Sequence, residues 1–506
     1  MKIFTAEKIR SADEFTIKNE PVSSILLMER AASECVKWLY QHCKNHSKFA
    51  IFCGNGNNGG DGFAVARMLY QKGFDVDVFI NSSKENFSDD AQINYNKLKE
   101  ISGISVHDFK DIDSFQFDQN TIVIDALFGT GLSRKLDGVY KELIEKLNKL
   151  NQVKISVDVP SGLFSDKISE ENQTIFQADY TLSFQFWKRS FVHPETGKFA
   201  GKVVILDINL SGEFIEKTPT DYFVIDDEII KEIFRPRDDF AHKGTYGKVI
   251  VVAGSYGKMG AAVLATKSAL KTGAGLTFTI APDCGYEILQ TSCPEAMFIS
   301  GGEKCIEEIE IQKDSVYGIG PGLGTESQTE KALLEFLKQS ENNPLLLDAD
   351  ALNIISKSQD HLKLIPKNSV ITPHPKEFER LFGKTEDSFQ RLELARIKAK
   401  ELRIFIVLKD HHTQIINPEG KVFYNITGNS GLAKGGSGDI LTGNVTSLLA
   451  QKYSPENACI LGVWLHGKAA DFAAEKFSKE SMLPTDVINE LGNVFLDLNK
   501  KVTTQL

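Results

Sequence analysis

Twice along this chain, short apolar runs alternate with amphipathic stretches of helix length. This rhythm restricts it to layered α/β folds in which parallel strands are joined by helical crossovers. In the first half, runs at 49–53, 76–80, 121–127 and 154–159 alternate with stretches such as 63–72 and 140–150. An opening helix is predicted over 24–40 from the spacing of Met28, Ala32, Cys35, Val36 and Leu39, and further strands at 179–184 and 202–208. A polar stretch, 210–220, breaks the pattern, and a fresh alternation starts near Asp221, with runs at 248–253, 276–280, 316–319, 345–347, 404–408 and 414–416. At 506 residues the chain exceeds the roughly 250–300 at which a single core stops growing. Two α/β domains are therefore expected, 1–212 and 221–506.

Composition narrows the function classes. A formal charge of -10 disfavours non-specific nucleic-acid binding, which rests on Lys and Arg neutralising phosphates, so phosphate ligands have to be held by local loops. The seven cysteines are odd in number and form no CxxC pair, so neither a disulfide framework nor a zinc site is suggested. The start, MKIFTAEKIRSADEF, lacks a signal peptide's apolar stretch, and nowhere do about 18 apolar residues run together. A soluble, cytoplasmic protein in a reducing compartment, with no membrane or nucleic-acid partner and forming a homo-oligomer, is expected.

Residues 54–62, GNGNNGGDG, follow a predicted strand and precede a predicted helix, a place where backbone amides and the helix dipole hold anions. A tight turn needs one or two glycines. Five in nine residues point to backbone that approaches a phosphate closely. The spacing is not GxGxxG, so an ordinary dehydrogenase fingerprint is not supported. DALFGTGL at 125–132 and DVPSG at 158–162 stand where predicted strands end, the rim on which open α/β sheets build their ligand crevice. Asp158 is a candidate general acid or base there, or else a turn residue.

NNGGDG, DALFGTGL and DVPSG, in this order, resemble the NAD(P)H-hydrate epimerase family over about 5–210. The resemblance implies a Rossmann-like parallel sheet that binds the hydrated dinucleotide and a potassium ion. Carried onto matching positions, Asn57, Asn58, Gly59, Gly60 and Asp61 would contact the substrate, as would Gly129, Thr130, Gly131, Leu132, Ser133, Arg134 and Lys135. Asn58, Asp125 and Ser161 would ligate potassium, a hard cation suited to oxygen donors, and Asp158 would be catalytic and touch the substrate.

In the second half, residues 429–439, NSGLAKGGSGD, lead into the apolar helical stretch 440–449. Glycines before a helix N-terminus make an anion hole, and an Asp at its lip can take the proton of a hydroxyl that attacks phosphorus. GGSGD resembles the GAGD loop of ribokinase-like small-molecule kinases. KGTYGK (243–248), GAA (260–262), GIGPGLG (318–324), LDADALN (347–353) and TPHPKE (372–377) narrow that class, being similar in order to the NAD(P)H-hydrate dehydratase family over about 240–443. By matching position, Ala261, Gly324 and His374 would touch the hydrate, Asp439 its hydroxyl as the catalytic group, and Gly438 the nucleotide. The nucleotide would also meet Lys409, Asp410, His411, His412 and Thr413. Here the chain departs from the family's Lys-Gly turn: Asp410 replaces the glycine, tolerating a left-handed turn but placing a negative charge near a phosphate. The His411–His412 pair reads as loop rather than metal site.

Together the resemblances imply repair of hydrated NADH and NADPH (NADHX and NADPHX). The first domain would interconvert the R and S hydrates, and the second would dehydrate the S form while ADP is consumed to AMP and phosphate, with Mg2+ on the phosphates and ATP as an alternative donor. The rival reading is a ribokinase-like kinase of a vitamin or sugar alcohol carrying a dinucleotide-sensing N-terminal domain.

Overall fold

The computed structural model describes residues 1–503 except 44, 45, 47, 85, 171, 341 and 342. The chain divides into two compact units, one of Lys2–Thr220 and one from Asp221 onward. Both are layered α/β units.

Among the described residues the first unit holds seven strands: β1 (Lys48–Cys53), β2 (Asp75–Ile80), β3 (Ser105–Asp108), β4 (Thr121–Ala126), β5 (Val153–Val157), β6 (Tyr180–Phe184) and β7 (Lys202–Leu206). They form one sheet in the order β3-β2-β1-β4-β5-β6-β7, parallel throughout. Its central strands β1 and β4 are buried almost throughout because both faces are covered. Phe49, Ile51, Ile122 and Ile124 belong to one buried core, with Cys35, Leu39 and Phe63 of the helices α2 (Ser24–His42) and α3 (Asn57–Gln71). The alternate residues Ala50, Phe52 and Val123 belong to another, with Leu143 and Leu147. Each fully buried Ile or Phe contributes about 1.5–3 kcal/mol relative to exposure. The chain runs outward from β1 through β2 to β3, then returns to β4, so the crevice expected at the carboxyl ends lies between β1 and β4.

The second unit has, among the described residues, ten strands: β8 (Tyr222–Ile225), β9 (Lys248–Val252), β10 (Leu276–Ala281), β11 (Met297–Ser300), β12 (Val316–Ile319), β13 (Leu346–Leu347), β14 (Val370–Ile371), β15 (Phe405–Leu408), β16 (Gln414–Ile416) and β17 (Val422–Asn425). The order is β11-β10-β9-β12-β13-β14-β15-β16-β17-β8, parallel except where β16 runs antiparallel to its two neighbours. Here the order reverses between β9 and β12. Among the described residues no helix is long and apolar enough to cross a membrane.

Several elements differ from expectation. The helix predicted from 63 starts at Asn57, so NNGGDG is its first turns and not a loop before it. Glycine's low helix propensity argued for a loop, but close packing overrides it: a Cβ on Gly59 would lie 1.8 Å from the Gly54 carbonyl oxygen, and one on Gly60 2.7 Å from Met28 Sδ. The strand predicted over 154–159 stops at Val157 because Asp158 turns to φ 65°. Strands β3, β8, β11, β14 and β17 were not among those predicted: β3, β8 and β11 lie at sheet edges with partial exposure, and β14 has only two residues.

Candidate active sites

In the first unit a cavity of about 930 Å³ opens over the carboxyl ends of β1, β4 and β5. Asp158, directly after β5, lies on its wall. A non-glycine residue at positive φ stores about 1–3 kcal/mol of strain and persists only where its surroundings over-determine it. Here they do. The Asp158 amide donates to the Leu182 carbonyl at 2.8 Å, and Lys188, fully buried, spends its three N–H donors on Asp158 Oδ1 (2.7 Å), Ser183 Oγ (2.6 Å) and the Phe184 carbonyl (3.2 Å). The Thr130 amide donates to Asp158 Oδ2 at 3.2 Å. A Cβ on Gly129 would sit 3.0 Å from that oxygen and 3.4 Å from Asn58 Cγ, so glycine there brings the 129–130 backbone, Asp158 and Asn58 into one group.

Asn58, Asp61 and Asn57 line the cavity from the first turn of α3, whereas Gly59 and Gly60 do not and serve packing. The whole of 129–135 lines it: Gly129, Thr130, Gly131, Leu132, Ser133, Arg134 and Lys135. Asp125 lies beneath, fully buried, accepting from the Ser161 amide (2.8 Å) and Ser161 Oγ (2.6 Å) and from Ser156 Oγ (3.1 Å). Burial raises its carboxyl to about 6 against these hydrogen bonds. The sequence reading missed Asp13 and Lys188. Asp13 lies on the charged helix α1 (Ala6–Asn19), and burial, then the charge of Asp158, raises its carboxyl to about 7. Burial and the charges of Asp158 and Asp13 hold Asp61 well above the usual carboxylate range. No strand-end or glycine signal marks Asp13 or Lys188.

A potassium ion fits the oxygens available here. Asn58 Oδ1 is buried with no hydrogen-bond partner, its amide nitrogen being turned to the Val157 carbonyl at 3.3 Å. Among the described residues no group of three or more His, Cys, Asp or Glu could hold a metal, so only a mixed amide, hydroxyl and carboxylate set is on offer.

In the second unit the helix Ser437–Ala450 starts behind Gly436, whose φ of 99° suits glycine alone. Asp439 sits in its first turn. Burial, then the charge of Asp348, raises the Asp439 carboxyl to about 7 although Lys409 opposes. Asp348, at the end of β13, is buried and receives Lys409 Nζ at 2.7 Å and Thr442 Oγ1 at 2.9 Å. A Cβ on Gly438 would stand 3.6 Å from both Asp348 Oδ2 and Lys409 Nζ. The helix start, the end of β13 and the end of β15 thus meet.

His374 caps the helix Pro375–Phe382: its Nδ1 accepts from the amides of Lys376 (3.1 Å) and Glu377 (3.3 Å), while its own amide donates to Glu377 Oε2 at 2.8 Å. Nδ1 therefore accepts and carries no proton, burial lowers the ring's pKa against the charge of Glu377, and Nε2 stands 3.5 Å from Glu377 Oε1. Gly324, at φ 83°, donates its amide to Asp350 Oδ2 at 2.9 Å, and a Cβ on nearby Gly322 would lie 3.0 Å from Ala261 Cβ. Asp350, Glu377 and Asp348 were missed as site members, although Asp348 and Asp350 stand in the LDADALN segment.

Asp410 corrects an expectation. Its φ is not positive, so no left-handed turn is formed, and its carboxylate is taken by the largely buried Arg391 guanidinium at 2.7 Å, which offsets the charge feared near a phosphate. His411 and His412 meet Nδ1 to Nδ1 at 3.0 Å, and burial, then His411, pushes His412 down to about 3. The Thr413 carbonyl accepts from the Asn425 amide at 2.9 Å in the hairpin that follows.

Residues 24–190 match the family described as YjeF-related protein N-terminus, and residues 249–493 the family described as NAD(P)H-hydrate dehydratase. A bifunctional NAD(P)H-hydrate repair enzyme of Thermofilum pendens is 32% identical over 97% of this chain and 95% of its own length. One of Moorella thermoacetica is 33% identical over 100% and 98%. The crystal structure of the ADP/ATP-dependent NAD(P)H-hydrate dehydratase from Bacillus subtilis, co-crystallised with ATP and Mg2+, matches with TM-score 0.50 and 31% identity, covering 55% of this chain and 98% of that one. The Rossmann-like and ribokinase-like expectations hold, a simple alcohol kinase is not favoured, and by these matches the chain belongs to the family of bifunctional NAD(P)H-hydrate repair enzymes.

Proposed function

We propose that this chain restores hydrated NADH and NADPH, with epimerisation in the unit Lys2–Thr220 and ADP-dependent dehydration in the unit from Asp221 onward. The observation that carries the reading is Asp439, a carboxyl raised to about 7 at a glycine-rich helix start, where hydroxyl activation and phosphate binding coincide.

Hydroxide is a poor leaving group, phosphate a good one. Asp439 takes the proton of the hydrate's hydroxyl, and that oxygen attacks the terminal phosphorus of ADP, releasing AMP. The amides at the start of the Ser437–Ala450 helix, Gly438 among them, face the phosphoryl group, and Lys409, held on Asp348, adds positive charge. The nitrogen lone pair of the ring then expels phosphate, and loss of a proton from the neighbouring carbon restores the double bond. His374, through Nε2–H, and the 261 and 324 backbone position the hydrate. Mg2+ neutralises the nucleotide phosphates, as the ATP and Mg2+ of the Bacillus subtilis structure suggest. ADP is the preferred donor in this reading.

In the first unit Asp158 exchanges a proton with the hydrate, the 129–135 segment holds the dinucleotide with Arg134 and Lys135 near its phosphates, and Asn58, Asp125 and Ser161 would hold potassium, which would supply a fixed positive charge. Both reactions belong in the cytoplasm, where dinucleotide pools lie. The test is to give the protein enzymatically hydrated NADH with Mg2+ and ADP, following NADH absorbance, AMP, phosphate and both epimers. Full recovery from both epimers with one AMP and one phosphate per NADH is expected. A stable phosphorylated product without phosphate release would restore the kinase alternative and overturn this one.

A further inference from the structure

We infer that Asp13 is the second acid–base group of the epimerase site, giving a proton to the ring nitrogen of the hydrate as Asp158 takes one from its hydroxyl. This rests on the epimerase reading of the first unit and adds a residue to it.

Asp13 faces, from α1, the same cavity as Asp158, Asp61 and Asn58. Three carboxyl groups meet there, and the lysine buried beside them is committed to one of them, Asp158, at 2.7 Å. Among the described residues Asp13 and Asp61 have no ion pair and no side-chain hydrogen bond. Unpaired carboxyl groups with restricted access to water are costly to keep, and where they line a cavity they mark groups retained for chemistry. The two differ in what they can do. Asp61, buried in the helix start, is held well above the usual carboxylate range by burial and is the more enclosed of the two. Asp13, less enclosed and raised to about 7, can both give and regain a proton near neutral pH.

The substrate's chemistry requires such a partner. Water adds to an enamine double bond at the carbon next to nitrogen, so the hydrate is a hemiaminal, and inverting that carbon means breaking a bond to it. Asp158 removes the hydroxyl proton, the O–H electron pair becomes the second bond of a carbonyl, the carbon–nitrogen bond breaks, and its pair goes to nitrogen, which takes the proton of Asp13. Rotation about the adjacent carbon–carbon bond exposes the other carbonyl face. Nitrogen then re-attacks, Asp13 recovers its proton, and Asp158 returns its own to oxygen. Nothing is oxidised or reduced, and both side chains end as they began. A base alone would have to expel an unprotonated nitrogen, a poor leaving group.

The groups that set Asp13's behaviour are Asp158, Asp61 and Lys188 across the cavity and Glu14 beside it, with Arg10 on the same wall. The test uses the full chain and its Asp13→Asn, Asp13→Glu and Asp158→Asn variants, measuring R-to-S conversion against pH, hydrate KM, thermal melting, and ADP-dependent dehydration of the S hydrate as internal control. Asp13→Asn is expected to lower epimerisation kcat by about 10²–10⁴-fold with KM within a few-fold, to abolish the decline in rate above about pH 7, and to melt no lower than wild type. Asp13→Glu should restore part of the rate with a displaced alkaline limb. Wild-type kcat and an unmoved alkaline limb in Asp13→Asn, with Asp158→Asn inactive, would overturn the role of Asp13 while leaving the epimerase reading intact. Failure of the wild-type chain to accelerate epimerisation would overturn that reading itself. If Asp13→Asn does not fold, Asp13→Glu decides: a displaced limb supports the role and an unmoved one refutes it.

Discussion

Replacing Asp439 with asparagine should stop dehydration and, above neutral pH, make the second unit more stable. In the folded chain this carboxyl titrates at about 7, against 3.8 when unfolded, chiefly because burial penalises its charged form. A group whose pKa is raised by folding favours the folded state below the unfolded value and loses that advantage as pH rises through the folded one. Between about pH 4 and 7 the folded protein therefore progressively bears the cost of ionising Asp439, and above that the cost is complete. At about 1.4 kcal/mol per pH unit, the displacement from 3.8 to about 7 bounds the effect at about 4 kcal/mol, and residual access to water brings the expected gain to roughly 1–2 kcal/mol at pH 8. Asparagine removes the ionisation and leaves Lys409 paired with Asp348 at 2.7 Å. Denaturant unfolding at pH 5 and pH 8, without nucleotide, measures the gain, and ADP-dependent NADH recovery measures the activity. The reasoning is refuted if the stability difference between variant and wild type is the same at both pH values, or if the variant keeps near-wild-type recovery.

Three further outcomes are expected. Asp158→Asn should still dehydrate the S hydrate but convert R to S about 10²–10⁴-fold more slowly, so recovery from a mixture becomes biphasic, and a single unchanged phase would remove Asp158 from the chemistry. Asparagine tolerates the φ of 65°. Lys188→Met should destabilise the first unit by about 3–5 kcal/mol, lowering its Tm by roughly 6–20 °C by calorimetry, and adding Asp158→Asn should recover much of that, whereas strictly additive effects would show that the pair is uncoupled. Exhaustive removal of potassium should slow epimerisation, with sodium a poor substitute. Unchanged epimerisation and hydrate binding would eliminate Asn58, Asp125 and Ser161 as its ligands.

Local order along the chain was enough to locate the strand ends near 125 and 158 and the helix start at GGSGD, because strand periodicity and glycine-rich turns are written in adjacent residues. Resemblance in motif order supplied the chemistry attached to those ends. What lay beyond both depends on residues far apart in sequence that the fold brings together. Lys188 reaches Asp158 across 30 positions, Lys409 reaches Asp348 across 61, and Thr442 reaches Asp348 across 94. No local pattern separates these side chains from the many solvated lysines and aspartates around them. Tertiary contact also decided that Gly59 and Gly60 belong inside a helix, since the neighbouring backbone and Met28 leave no room for a Cβ. It likewise turned Asp410 from an uncompensated charge into the partner of Arg391, 19 residues away. Burial and long-range pairing set the charge of an ionisable group, and both are properties of the folded chain that sequence spacing does not carry.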